Sequence, residues 1–158
     1  MPNKPLPNKQ LPDSPLPRAQ RVVSWVAQVG IAVILGQTLF FKLTYAPETQ
    51  YIFESLGGRP AATFAALVEL AAVVLLLVPR TAALGGAVAL GVISGAIATH
   101  LGPLGIEVLN PETGEGDGGF LFVLALIVFG LSATVVAIRR AELPVVGARF
   151  RGEGAVTA

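Results

Sequence analysis

Four apolar stretches of roughly 20 residues dominate the chain, at about 22–42, 60–78, 81–101 and 119–138, with short polar connections between them. At 1.5 Å rise per residue, a helix of about 20 residues spans the roughly 30 Å hydrocarbon core of a bilayer. The pattern predicts an all-α fold: an integral membrane four-helix bundle with short loops. Ahead of the first stretch, residues 1–21 are polar and contain Pro2, Pro5, Pro7, Pro12, Pro15 and Pro17. Each proline fixes φ and removes a backbone donor, so this segment is expected to be a disordered tail. It is too polar for a secretory leader, so the first stretch is expected to be a retained helix. Residues 139–158 read as a second polar tail, leaving 22–138 as the membrane domain.

Within the first connection, Pro47 to Leu56 has the marks of a short helix, with Pro47 in its first turn and Gly57-Gly58 as its stop. Tyr51, Ile52, Ser55 and Leu56 would share one face. That face suits a helix lying on the membrane, or the segment is an ordered loop. Pro79-Arg80 makes a tight turn between the second and third spans. Helix association in lipid depends on small residues that allow close approach. Ala62, Ala65, Ala66 and Ala72 in the second span, and Gly91, Ser94, Gly95 and Ala98 in the third, are expected to face inward.

Composition agrees with this picture: 53% of residues are hydrophobic and 13% charged, and mean hydropathy is +0.70. Soluble domains carry about 25% charged residues. The net charge of +1 gives no field that would attract nucleic acid. With no cysteine, disulfides, thiolate metal sites and thiol redox chemistry are excluded. Lys4, Lys9, Arg18, Arg21, Arg80, Arg139, Arg140, Arg149 and Arg151 fall on the tails and the second turn. The positive-inside rule then places both termini in the cytoplasm of a cell (inner) membrane, and the acidic connection with Glu107, Glu112, Glu115 and Asp117 outside.

A few polar residues break the apolar runs, and each asks for a reason. Glu69 lies about 9 residues, or about 13 Å, from the outer end of the second span. Its helical neighbours are the alanines, so it faces inward. It is either a ligand- or proton-binding carboxylate or an interhelical hydrogen-bonding group. Lys42 ends the first span on a stripe with Gln28, Ile31, Leu35 and Thr38. It snorkels to the interface or reaches Glu69, across a depth gap of about 10 Å that calls for tilt or a bridging water. Gln37 lies nearly opposite Gln28, so the two glutamines are not expected to share one narrow core. His100, the only histidine, stands at the outer end of the third span; alone it makes no metal site, and none is expected. Gln37, Lys42, His100 and Asp117 all fall in the outer half above Glu69. Together they suggest a vestibule ending at a buried acid.

The segments Gly36-Gln37-Thr38-Leu39-Phe40-Phe41-Lys42-Leu43 and Phe53-Glu54-Ser55-Leu56-Gly57, the entry Arg59-Pro60, the intramembrane Glu69 and the turn Pro79-Arg80-Thr81 resemble the DoxX family of small bacterial membrane proteins. The resemblance covers about residues 22–138. Two departures stand out: the turn reads Arg80-Thr81, reversed from the family's order, and Leu70, Ala71 and Ala72 replace the usual glycines after Glu69. The resemblance implies a four-helix membrane protein. It links some relatives to thiosulfate:quinone oxidoreductase, and others to membrane assemblies handling sulfur or oxidative stress. It implies no catalytic residue set.

Three functions follow as expectations. The first is a non-enzymatic subunit whose basic tails dock a redox protein. The second is a small-solute or proton-coupled binding or transport protein using Glu69 and Lys42. The third is an oxidoreductase subunit using a quinone, the one cofactor this reading admits. The bilayer is the first partner in each case, with a redox protein or a second copy of the chain as further candidates.

Overall fold

The computed structural model describes residues 16–143. The expected tail segments 1–15 and 144–158, with Lys4, Lys9, Arg149 and Arg151, lie outside the described residues. Five α-helices and a terminal 3-10 turn occur among the described residues: α1 Arg18–Thr44, α2 Pro47–Glu54, α3 Gly58–Leu77, α4 Ala82–Leu101, α5 Phe120–Arg139, then Arg140–Glu142. Four of them, α1, α3, α4 and α5, are long and apolar enough to cross a membrane. The protein is an all-α bundle with the character of a multi-pass membrane protein.

The expected boundaries need correction at three places. First, α1 begins at Arg18, inside the segment expected to be a disordered tail. The proline series stops at Pro17, and nothing from Arg18 onward removes a donor, so the helix gains another turn. Second, α1 runs on to Thr44 and ends in a left-handed Tyr45 (φ 55°), and α3 begins at Gly58 rather than Pro60. Both helices therefore extend past the residues taken as their outer ends. Third, Arg139 belongs to α5 rather than to a solvated tail: it is 5% exposed. The other limits, at Leu77, Ala82 and Phe120, differ from expectation by a single residue.

The helices form a ring in the order α1, α3, α4, α5, each packed on its two neighbours. Side chains facing away from the ring are large and apolar; Phe64, on α3, is 69% exposed. Such a surface suits lipid. Buried apolar residues from all four long helices, among them Ile31, Leu76, Ala89, Val128 and Val135, form one packed layer across the middle of the bundle.

Close approach of α4 to its neighbours depends on Gly85, which faces α3, and Gly86, where a Cβ would lie 3.0 Å from Val135 Cγ1 of α5. A Cβ on Gly85 would run into the backbone nitrogen of Leu76 and lie 2.8 Å from Leu75 C and 3.0 Å from Ala72 O. The expected pair, Gly91 and Gly95, has open space where a Cβ would go, and Gly91, Ser94, Gly95 and Ala98 are exposed. The spacing rule located the correct helix but not its helix-packing face: of these four residues Gly95 alone borders the interior, at the cavity described below. The alanine expectation holds: Ala62, Ala66 and Ala72 are buried.

At the end of the bundle that carries the Pro79-Arg80 turn, a buried polar cluster ties three segments together. Arg139 Nε donates to Ser24 Oγ at 2.7 Å, and Nη1 donates to Pro79 O at 3.2 Å and Glu142 Oε2 at 2.9 Å. Gln28 Nε2 also donates to Ser24 Oγ, at 2.6 Å. Sequence reading missed this cluster, because an arginine at a span end looks the same whether it serves topology or turns inward.

Candidate functional site

The continuous helical stripe of α1 sets the site. Gln28, Ile31 and Leu35 are buried, and the next two members, Thr38 and Lys42, meet Glu69 of α3. Lys42 Nζ lies 2.9 Å from Glu69 Oε2, and Thr38 Oγ1 shares its single proton between Leu35 O at 2.9 Å and the same carboxylate oxygen at 3.3 Å. The ion pair is direct and needs no water bridge. Thr38, one turn below Lys42, stands level with Glu69, so a lysine side chain covers the remaining rise. The gap foreseen from the sequence was too large because α1 extends beyond Lys42. The pair is poorly accessible, with side-chain exposures of 17% for Lys42 and 7% for Glu69. Oε2 accepts both bonds, and Oε1 has no protein donor among the described residues.

Above this pair the bundle opens into a cavity of about 530 Å³, lined by all four long helices and α2. Gln37, Lys42, Glu69, His100 and Asp117 all border it, with Thr38, Glu48 and Thr49. The rest of the wall is largely apolar, including Ile34, Phe41, Phe53, Phe120 and Leu124. Phe41, Leu56 and Phe120 line the cavity and are also exposed, which puts its mouth at the α2 end. Below Glu69 the void stops against the packed layer of Ile31, Leu76 and Val128.

The cavity resolves the problem of the two glutamines. Gln28 is sealed in the cluster at the far end, while Gln37 borders the void and is otherwise exposed. Where the bundle widens, two adjacent stripes of α1 reach the interior: Leu35, Thr38 and Lys42, and Ile34, Gln37 and Phe41.

The segment Pro47–Glu54 is a helix rather than a loop, and of the expected shared face Ile52 and Leu56 turn to the cavity while Tyr51 and Ser55 do not line it. Thr49 is 3% exposed; Thr49, Ile52, Phe53 and Leu56, at spacings of 3, 4 and 7, turn toward the cavity. The helix packs on α3 and α1 and forms part of the cavity wall beside its mouth. Gly57 and Gly58, both with positive φ (111° and 65°), make the sharp reversal into α3 that holds it there. On its other side, Asn110 Nδ2 donates to Glu48 Oε1 at 2.8 Å, joining α2 to the acidic connection.

His100 is 6% exposed. Its Nδ1 lies 2.9 Å from Gly105 O; a carbonyl only accepts, so Nδ1 carries the proton. The ring packs against Phe122 with centroids 5.6 Å apart. Asp117 is a clasp for the connection into α5. Its Oδ1 accepts from Val108 N (2.8 Å) and Gly119 N (3.0 Å), and its Oδ2 from Leu121 N (2.8 Å). Burial pushes its carboxyl up. The three backbone donors and the nearby His100 outweigh that and hold it below the usual carboxylate range.

Comparison with family models, curated proteins and solved structures finds no match for the chain. The site is therefore read from its geometry. Among the described residues, no group of three His, Asp or Glu side chains is arranged to hold a metal ion. The geometry instead offers an apolar chamber with a fixed charge pair at its floor and donors and acceptors on its rim.

Three polar lining residues escaped the sequence reading: Glu48 and Thr49, which were not counted on the face shared by Tyr51, Ile52, Ser55 and Leu56, and Thr99 of α4. For Thr49 the signal was present in the 3-4-7 spacing from Thr49 to Leu56.

Proposed function

We propose that this protein is a membrane-embedded binding protein for a small lipophilic molecule with a polar head, taken in at the α2 end and held above the Lys42–Glu69 pair. The observation that carries this reading is the cavity of about 530 Å³ with mostly apolar walls and a buried ion pair at its floor. Sites for small ligands have about this size and this mixture of apolar wall and few polar groups. Gln37 and His100 stand where they can hydrogen-bond a polar head. The packing beneath the pair favours binding over conduction: the buried polar atoms at that depth, Gln28 Oε1 and Ser132 Oγ, have no hydrogen-bond partner among the described residues, so no bonded polar path runs from Glu69 to the far end. A quinone, neutral and lipophilic with carbonyl acceptors, is one member of this ligand class.

The segments with DoxX-like character supply Gln37, Thr38, Phe41, Lys42, Phe53, Leu56 and Glu69 to the cavity. The proposal thus gives the resembling residues a common purpose. Arg18, Arg21, Arg80 and Arg140 cluster at the end opposite the mouth, so the proposed orientation turns that end to the cytoplasm and the cavity outward. The docking role imagined for the basic tails loses Arg139, which is buried.

The test is purification in mild detergent, followed by organic extraction and mass spectrometry of what comes along. A stoichiometric lipophilic compound present in the wild type and lost in Gly95→Leu is the expected result. Gly95 lines the cavity and has room for a Cβ. A folded wild type that neither carries nor takes up any lipophile would refute the proposal.

A further inference from the structure

The charges around the cavity are unbalanced. Its lining holds three carboxylates, Glu48, Glu69 and Asp117, against one lysine and one histidine. Lys42 is committed to Glu69 Oε2. Glu48 and Asp117 are satisfied as hydrogen-bond acceptors by Asn110 Nδ2 and by backbone N–H groups. Those partners are neutral, so both negative charges remain. Even with His100 doubly protonated, the lining keeps a net charge of −1: Glu48, Glu69 and Asp117 against Lys42 and His100. A second void of about 290 Å³ shares Glu48 and Asp117 with the first and adds Glu115, with no basic residue in its lining.

The surroundings amplify this imbalance. Apolar walls focus the field of a few charges into the cavity, where water screens them less than at an open surface. Phe41, Phe53 and Phe120 add aromatic rings to the wall; ring faces attract organic cations and repel anions. At the floor, the 93% buried Glu69 side chain borders the void with Oε1 free of protein donors among the described residues. A bare inorganic cation is poorly served, since the wall is chiefly hydrocarbon and holds no grouped oxygen ligands.

We infer that the cavity selects lipophilic organic cations: a delocalised or quaternary cationic head on an apolar body. This rests on the binding reading above and adds the sign of the ligand's charge.

Tetraphenylphosphonium and tetraphenylborate have nearly the same shape and opposite charge, which makes them suitable probes. Equilibrium dialysis of both against the purified full-length protein in a non-ionic detergent measures the preference. Decylubiquinone serves as the neutral probe, and Gly95→Leu gives the background from partition into micelles. Tetraphenylphosphonium should bind saturably and about tenfold or more tighter than tetraphenylborate. Glu48→Gln keeps an oxygen for Asn110 while removing one charge, and should shrink the gap to about threefold, with elution on size exclusion unchanged.

Equal binding of the two ions, or tighter binding of the borate, would overturn the charge inference and leave the binding reading intact. Tighter binding of decylubiquinone than of the phosphonium would do the same and point to a neutral ligand. Saturable binding by none of the three would overturn both readings.

Discussion

Removing Lys42 should destabilise the fold far more than neutralising Glu69, although the two residues form a single ion pair. Lys42→Met leaves a carboxylate whose side chain is 7% exposed, with Thr38 at 3.3 Å as its remaining donor. Breaking a buried pair from one side costs about 3–5 kcal/mol. The cavity lets some water reach Glu69, so the low end, about 3 kcal/mol, is expected here. Glu69→Gln is milder. Glutamine still accepts from Thr38, and Lys42, 17% exposed in the last turn of α1, swings toward the mouth. That loss should be about 1 kcal/mol. The double variant lacks the stranded carboxylate and should sit close to Glu69→Gln, so the two changes are coupled by about 2–3 kcal/mol. Thermal unfolding of detergent-purified protein, at fixed protein and detergent concentrations, reads the series. Lys42→Met should lower the midpoint by on the order of 10 °C, and the double variant should recover most of that. Equal losses for the two single variants, or additive losses in the double, would refute the view that Glu69 depends on Lys42 as its partner.

Gly85→Ala should cost about 1–3 kcal/mol by driving a methyl group into the α3 backbone, whereas Gly91→Ala, with open space around it, should be neutral or slightly stabilising; the same unfolding assay compares them, and equal effects would refute the packing assignment. Arg139→Met strips donors from Ser24 Oγ and Pro79 O and should cost about 2–3 kcal/mol. Lysine at that position should restore little, since it lacks the fork that reaches both oxygens; full rescue by Arg139→Lys would count against the geometry. Asp117, held below its usual range in the fold, stabilises the connection into α5 above about pH 4, and that contribution fades as pH falls through its lowered value. The stability gap between wild type and Asp117→Asn should therefore be full at neutral pH and close in acid; a gap that stays constant down to about pH 2 would contradict the clasp.

The spans were legible because lipid leaves little choice: long uncharged runs have to become helices, and the two-fold check of length and composition is hard to mistake. The stripe from Gln28 to Lys42 was also legible, since 3.6-residue periodicity fixes which residues share a face. What periodicity cannot supply is depth. Whether Lys42 reaches Glu69 turns on how far α1 continues past it, and two further residues before Tyr45 decide the matter. Nor does spacing tell which glycine pair meets a neighbour: Gly85 meets α3 and Gly86 meets α5, whereas Gly91 and Gly95 have open space, and only the paths of the neighbouring helices distinguish them. The vestibule residues converge on one void, whereas the polar cluster around Arg139 was invisible because it joins three segments distant in the chain: Ser24 and Gln28, Pro79, and Arg139 with Glu142.

The dry layer through Ile31, Leu76 and Val128 has an electrical consequence. In a polarised membrane, the voltage drops mainly where water and mobile ions are absent. A chamber with apolar walls, poorly screened and filled by a lipophilic guest, carries part of that drop itself. A charged guest resting above Glu69 in such a membrane would sit inside the field, and its occupancy would shift with the voltage.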